Sequence, residues 1–271
     1  MSMTRQSTQS AIRALAVAGA LMLVTAAHAA PISFTGGAYT QDFDSLDSLS
    51  NNATWTNGST LAGWSGFFGY SVPDTAYTSI ERNVDSGNAE GLHNLGATQS
   101  ASERALGFRQ FGESSMIVVE FVNDTGGDLT EATVDYVGEL YRIDSSDNTN
   151  IDLEFQYSLD ATSPGVLTGT WTDVDSLDFE IPTTNQPGSG NAFLDGNDAD
   201  NQDVNSATFT LSSPWAAGDS LYLRWWQPDG PGVSAPGLDD FEFTAIVPEP
   251  TSLALLGLGG AVILAGRRRR G

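Results

Sequence analysis

SMIVVEFV, at residues 115–122, gives the clearest strand pattern in this chain. It contains neither glycine nor proline, and its three valines have the branched Cβ that packs well on a pleated surface. Successive side chains of a strand point to opposite faces of the sheet. One face is therefore predicted to carry Ile117, Val119 and Phe121, and the other Val118, Glu120 and Val122.

Similar alternating patterns recur on both sides of this strand. They include Leu153/Phe155/Tyr157, Leu221/Leu223/Trp225 and Phe241/Phe243/Ala245. Segments rich in Gly, Pro, Asn and Asp separate them, and outside the two termini no segment shows a convincing 3.6-residue apolar stripe. Gly138 interrupts another such run and is expected at a bulge or a close approach. We therefore predict one all-β domain over residues 31–247, an antiparallel two-sheet, jelly-roll-like sandwich of about ten strands.

The charge of this predicted domain is strongly negative. The domain contains five arginines and 33 of the chain's 34 acids, which gives it a net charge of about −28. The chain has neither lysine nor cysteine. Repulsion among the acids favours solubility and argues against binding nucleic acid or anionic lipid through a basic face. Without cysteine, disulfides cannot add stability. A saline habitat, aspartate-containing turns and calcium binding all stay open as explanations of the acidity.

The first 29 residues have the three parts of a secretory signal peptide. Arg5 and Arg13 form a positive region, residues 14–24 (ALAVAGALMLV) form an apolar core, and Ala27 and Ala29 place small residues at −3 and −1 of a cleavage site. This predicts a signal helix over 1–29 that engages the secretion translocon. Cleavage after Ala30 is an alternative.

The last 24 residues, 248–271, form a second targeting segment. Pro248, Glu249 and Pro250 precede an uncharged stretch, TSLALLGLGGAVILAG at 251–266, and a cluster of four arginines. At about 1.5 Å per residue the stretch is roughly 24 Å long, so it predicts a short transmembrane helix. The four arginines, which would keep the C-terminus in the cytoplasm, are Arg267, Arg268, Arg269 and Arg270. An ordinary tail anchor is the simpler alternative.

This order of Pro-Glu-Pro, apolar helix and arginine cluster resembles the PEP-CTERM sorting signal, also called the ice-binding protein C-terminal domain. The resemblance implies export from an exopolysaccharide-producing Gram-negative bacterium and an intermediate anchored in the inner membrane. It further implies cleavage by an exosortase-type membrane protease near the triplet, followed by a location at the cell surface, in a biofilm or outside the cell.

The body of the chain is similar to a family of secreted bacterial β-sandwich domains found alone with such tails, or beside nuclease and lamin-tail modules. The resemblance rests on residues 41–46, 61–64, 102–107, 121–126, 136–142, 223–225 and 237–241. Tyr141 departs from it, because the family more often has Trp there. The resemblance implies a sandwich without an assigned activity.

The residue inventory argues against catalysis. His93 is the only histidine after signal removal, and without lysine or cysteine most general-base and nucleophile schemes lack their parts. Paired carboxylates could still cleave a glycan, and Glu120, Glu139 and Glu154 could lie on one sheet face. We predict that the protein is not an enzyme, with a carboxylate-based glycan-cleaving enzyme as an alternative.

Aspartates near the two ends of the domain suggest a calcium site. Antiparallel pairing of the first and last strands would bring Asp42 and Asp44 near Asp239 and Asp240, and Ca²⁺ would compensate their repulsion. Turn capping by Asp42 and Asp240 is the simpler alternative. The acidic loop DGNDADNQD, at 195–203, is a second cation candidate, although a solvated loop also explains it.

Scarce arginines lie beside aromatic residues, which leaves two interpretations open: a structural role between strands, or a glycan site. Arg142 and Arg224 are expected on strands, held by a glutamate or stacked on an indole. Strand phase places Trp225 in the core and leaves Trp226 exposed, where an indole can pack on a sugar ring. The predicted ligand-binding residues are Trp226, Arg224 and Glu139. We therefore expect a non-catalytic surface protein associated with exopolysaccharide; the alternative is a calcium-dependent structural or adhesive module that binds protein partners.

Overall fold

Sixteen strands make up nearly all the regular structure of the described part of the chain. The computed structural model describes residues 30–69, 75–82, 90–109, 113–145, 153–163, 169–182, 184–228 and 234–246. The predicted signal helix, the Pro-Glu-Pro triplet and the predicted C-terminal helix lie outside these residues. Among the described residues, no helix has the length and hydrophobicity needed to cross a membrane.

The first sheet, called sheet I, has seven strands. Their order is β12-β11-β15-β9-β4-β5, with β1 paired beside β9. The bounds are β1 Ile32–Phe34, β4 Trp64–Gly69, β5 Thr75–Ala76, β9 Ser114–Asn123, β11 Glu154–Ser158, β12 Thr172–Asp173 and β15 Ser220–Gln227.

The second sheet, called sheet II, has nine strands in the order β13-β10-β16-β8-β7-β6-β3, with β14 paired to β10 and β2 paired to β16. Two 3-10 helices, Asp44–Ser48 and Asp175–Leu177, complete the regular structure of the described residues. The strand bounds are β2 Tyr39–Gln41, β3 Ala53–Thr54, β6 Ser79–Arg82, β7 Gly91–Leu95, β8 Ala105–Arg109, β10 Leu129–Asp144, β13 Asn191–Phe193, β14 Gln202–Trp215 and β16 Ala235–Ile246.

The all-β, two-sheet architecture confirms the coarse prediction, with two differences. The sheets are mixed, because β1 runs parallel to β9 and β6 runs parallel to β7. The strands also outnumber the predicted ten, because several have only two or three residues and are too short to show alternation in the sequence. The jelly-roll assignment stays a prediction.

The strand at 115–122 becomes the centre of sheet I, where β9 pairs with β15 and β4. Its side chains at Ile117, Val119 and Phe121 enter the core between the sheets, as predicted. Burial of each such side chain contributes about 1.5–3 kcal/mol. Met116 and Val118, on the opposite face, are also buried, in a smaller apolar cluster. Sheet I is therefore covered on both faces at this point.

Tight contacts connect the two sheets. Trp64 of β4 and Trp225 of β15, both in sheet I, stack in the core with ring centroids 5.9 Å apart. Phe241 of β16, in sheet II, packs edge-on against both indoles, with centroid distances of 5.2 and 5.5 Å. The prediction of a close approach at Gly138 is confirmed, because a Cβ atom there would lie 2.4 Å from the ring of Phe179. Any larger residue would push this ring out of the core.

Candidate functional site

The outer face of sheet I carries an arginine between two indoles. The β15 alternation that buries Leu223 and Trp225 turns Arg224 and Trp226 to the outer face. The Arg224 Cζ lies 3.9 Å from the ring centroid of Trp171 and 5.4 Å from that of Trp226. We call Trp171, Arg224 and Trp226 the indole–arginine cluster.

Polar groups on neighbouring strands hold this arginine. Its Nε donates to Gln156 Oε1 at 2.7 Å, and the Gln156 amide donates in turn to Asp173 of β12. Glu154 lies opposite Trp226 in the β11–β15 register. Burial lowers the pKa of Arg224 to about 10, and Asp173 and Glu154 act in the opposite direction. Arg224 is therefore charged at neutral pH and fixed in place.

Both indoles are partly buried. Trp226 was expected to be exposed but is only partly so, since it packs against the small outer cluster of sheet I together with Trp171. Among the described residues, neither indole Nε1 has a hydrogen-bond partner. Trp171 was not singled out from the sequence, because the segment before β12 shows no pattern that points to Arg224.

The outer face of sheet I also carries a hydrogen-bonded carboxylate, that of Glu120. Glu120 Oε1 accepts from the Tyr222 hydroxyl at 2.8 Å and from Ser220 Oγ at 2.9 Å. Glu120 and Glu154 both lie in sheet I, whereas Glu139 lies on β10 of sheet II. The three glutamates do not share a face. For the same reason Glu139 is separated from Arg224 and Trp226, with which it was grouped as a ligand-binding residue.

Glu139 instead belongs to a group of three acids on sheet II, which we call the carboxyl cluster. Oxygen atoms of Glu103, Glu139 and Asp239 lie within 4.8 Å of one another. The Tyr141 hydroxyl donates to Glu139 at 2.7 Å. Side chains of Glu139 and Asp239 are 2% and 7% exposed, so water screens their charges poorly.

Burial is the main reason why Glu139 and Asp239 hold protons. It raises the pKa of Asp239 to about 9, helped by the hydrogen bond to Glu103 and the charge of Glu139. It also raises the pKa of Glu139 to about 7, where Glu103 adds to the effect and the Tyr141 hydrogen bond opposes it. Around neutral pH the cluster therefore retains at least one proton unless a cation replaces it.

The acidic 195–203 loop lies next to this cluster. Asn197 donates to Glu103, and a Cβ at Gly196 would lie 2.6 Å from the ring of Tyr141. The loop was considered separately in the sequence, as a second cation candidate. Glu103 was not singled out there, because it precedes β8 in a short turn without a recognisable ligand spacing.

The four predicted calcium ligands are divided between different places. Strand β2 pairs antiparallel with β16, as expected, and brings Asp42 and Asp240 to the wall of a cavity of about 450 Å³. Asp239 belongs to the carboxyl cluster, and Asp44 Oδ1 accepts from the backbone N–H of Arg104 at 3.0 Å. Asp42 also accepts from the backbone N–H of Asp44 at 3.2 Å, as the turn-capping alternative requires. Calcium binding itself stays a prediction.

The other predicted features have ordinary structural positions. Arg142 is buried on β10 with its guanidinium 5.2 Å from the ring centroid of Phe193. His93 lies in a stretch rich in glycine and asparagine that predicts a loop, but in the structure it is buried on strand β7. The signal-cleavage residues Ala27 and Ala29 lie outside the described residues.

Comparison with known protein families confirms the predicted sorting signal. Residues 247–270 match the PEP-CTERM protein-sorting motif. The motif identifies a protein exported from a Gram-negative bacterium, processed at the membrane by an exosortase and then located at the surface or outside the cell. No curated protein shows significant similarity to the chain.

Solved structures similar to the body include several carbohydrate-binding modules. The CBM22-1 xylan-binding domain of Paenibacillus barcinonensis Xyn10C is 11% identical, with 81% of this chain and 99% of that chain covered and a TM-score of 0.37. The CBM28 module specific for non-crystalline cellulose is 10% identical, with 72% and 98% covered and a TM-score of 0.33.

A phage protein is similar to about the same degree. The tailspike protein 4 domain of bacteriophage CBA120 is 11% identical, with 75% of this chain but only 22% of that chain covered and a TM-score of 0.33. At such low identities and with TM-scores below 0.5, none of these likenesses assigns a ligand or an activity to this chain.

Proposed function

We propose that the mature protein is a non-catalytic surface module that associates with exopolysaccharide through the indole–arginine cluster. The observation that supports this proposal is the position of the Arg224 guanidinium over the rings of Trp171 and Trp226 on the outer face of sheet I. Export by the sorting pathway, which involves the secretion translocon and an exosortase-type protease, delivers the module to the place where such polysaccharides accumulate.

The cluster provides both kinds of contact that a pyranose ring needs. Indole faces pack against the C–H groups of the ring, and the oxygen atoms of Glu154 and Asp173 can accept from its hydroxyls. The guanidinium of Arg224 fixes the two indole planes, because it stacks on both while its Nε is held by Gln156. A rigid platform loses little conformational entropy when it binds a ligand.

The test is affinity electrophoresis of the secreted protein in gels that contain xylan, soluble cellulose or exopolysaccharide of the producing bacterium. Trp171→Ala and Trp226→Ala are each expected to weaken retardation about tenfold or more, the effect of losing a central aromatic contact. The matched control is Phe193→Ala, which removes a 49% exposed aromatic ring from sheet II. Equal retardation of all four proteins would refute the proposal.

A calcium-dependent structural or adhesive module is the second candidate. The carboxyl cluster favours it, since the buried acids Glu139 and Asp239 of sheet II meet the partly buried Glu103. Binding to a protein partner that disappears in EDTA and returns with Ca²⁺, while retardation by polysaccharide is absent, would support this candidate over the first.

A glycan-cleaving enzyme is the third candidate. Glu139 has the raised pKa that a general acid requires, and a second carboxyl lies close to it. With only 2% of Glu139 exposed, however, a substrate could reach it only after displacing its covering residues. Release of oligosaccharides from polysaccharide by the wild type, abolished by Glu139→Gln, would establish this activity.

A further inference from the structure

A cavity separate from both clusters is lined by residues of both sheets. Its volume is about 240 Å³. Phe68 of β4 and Ser115 of β9 belong to sheet I, whereas Arg109 is the last residue of β8 in sheet II. The lining also includes Tyr77, Glu90 and Glu113. None of these residues belongs to the indole–arginine cluster or to the carboxyl cluster.

One part of the wall is aromatic and carries hydroxyl groups. The rings of Phe68 and Tyr77 stack with centroids 4.8 Å apart and planes inclined by 27°. The Tyr77 hydroxyl and Ser115 Oγ form a buried hydrogen bond of 2.9 Å. Burial raises the pKa of Tyr77 well above its ordinary value, so its hydroxyl is neutral and can donate or accept. This wall can contact C–H groups and hydroxyls of one ligand.

Another part of the wall carries charges of both signs. Arg109 is 3% exposed, and burial lowers its pKa, with Arg142 adding to the effect and Glu90 and Asp144 opposing it. Glu90 is exposed and Glu113 is half-buried. An anionic ligand would meet two glutamates, and a cationic ligand would meet the guanidinium. A ligand rich in neutral hydroxyls can both donate to the carboxylates and accept from the arginine.

The size of the cavity limits the ligand to about one ring. Pockets that enclose drug-sized molecules have volumes of about 300–1,000 Å³, and this cavity is smaller. We propose that it binds a single neutral monosaccharide unit, either free or at the end of a chain, with the aromatic pair below the ring and Arg109, Glu90 and Glu113 around its hydroxyls. This second site does not depend on the indole–arginine cluster.

Saturation-transfer NMR and calorimetry on the secreted protein test the proposal with six free sugars. Glucose, galactose, mannose and N-acetylglucosamine are the neutral probes, and glucuronate and glucosamine are the charged ones. Saturable binding of at least one neutral sugar is expected, with weaker or no binding of both charged sugars. Tyr77→Phe keeps the ring and removes the hydroxyl, and Glu113→Gln removes a charge-assisted acceptor. Each is expected to weaken binding about tenfold, and Glu180→Gln, an exposed position outside the cavity, is the control.

Several results would overturn the proposal. These are no saturable binding of any neutral sugar by a protein with a normal melting transition, tighter binding of a charged sugar, or affinities unchanged in both Tyr77→Phe and Glu113→Gln. The Trp226→Ala variant distinguishes binding at this site from binding at the indole–arginine cluster. That variant is expected to lose retardation by polysaccharide and to bind the monosaccharide normally, so either site can fail without the other.

Discussion

Asp239→Asn is expected to remove most of the dependence of stability on pH between pH 5 and pH 8. Folding raises the pKa of Asp239 to about 9 and that of Glu139 to about 7. A carboxyl with a raised pKa binds more protons in the folded state than in the unfolded state. Its contribution is therefore most favourable at low pH and is lost as the pH rises from about 4 to about 9. The wild type should become less stable along this range.

The magnitude of the Asp239 contribution follows from its one proton. Loss of that proton-binding preference costs about 1.4 kcal/mol per pH unit, so three units give an upper limit of about 4 kcal/mol, and Glu139 adds at most about 3 kcal/mol below pH 7. Because the titrations of Glu139 and Asp239 influence each other, we expect about 2–4 kcal/mol from Asp239. For a domain of this size that corresponds to a fall in melting temperature of roughly 5 to 15 °C.

The assay is thermal and urea unfolding, followed by circular dichroism, of the wild type and two variants at pH 5, 6, 7 and 8. The Asp239→Asn variant would keep an acceptor for the backbone N–H of Asp240, which Asp239 Oδ1 contacts at 2.7 Å. Its melting temperature should be close to that of the wild type at pH 5 and higher than that of the wild type at pH 8. Asp128→Asn, at an exposed position, should keep the wild-type slope. Parallel slopes for the wild type and Asp239→Asn would refute the reasoning.

Four further outcomes are expected. Gly138→Ala should destabilise the fold by about 1–3 kcal/mol in urea unfolding, because its Cβ would overlap the ring of Phe179; an unchanged midpoint would contradict this. Arg224→Lys should weaken retardation by polysaccharide, since an ammonium cannot stack as a planar guanidinium does; retention of wild-type mobility would argue against the platform. Excess EDTA should lower the melting temperature by several degrees if calcium is bound, and an identical melt would end the calcium prediction. Mass spectrometry of the secreted form should find the chain cut after residue 29 or 30 and near residue 248, and an intact cytosolic chain that keeps its terminal arginines would contradict export.

Local sequence was sufficient for the longer strands and for the inward face of the most regular ones, but not for the strands of two or three residues. Ile117, Val119 and Phe121 are in the core as predicted, and so is Trp225, because side-chain alternation depends only on the strand itself. The outward face was less predictable. Trp226 is partly covered because it packs against the small outer cluster of sheet I and contacts Arg224, and no local pattern reveals those contacts.

The candidate sites were predicted only in part because they depend on which strands are neighbours. The sequence led us to expect the β2–β16 pairing that brings Asp42 beside Asp240. It did not indicate that Glu139 and Asp239 meet Glu103, since that contact depends on the register of β10 with β16 and on the turn before β8. Residues more than a hundred positions apart become neighbours through these long-range pairings.

The sequence by itself determined the all-β class and the export of the protein to the cell surface or beyond. The sorting motif can be identified from sequence because it occupies a short contiguous stretch. Only the tertiary structure decided which acids share protons and which indoles enclose the arginine. It also decided that Glu139 lies away from Arg224, on the other sheet. The physical reason is that burial and pKa depend on neighbours brought together by sheet packing, whereas alternation and the sorting signal depend on the order of residues along the chain.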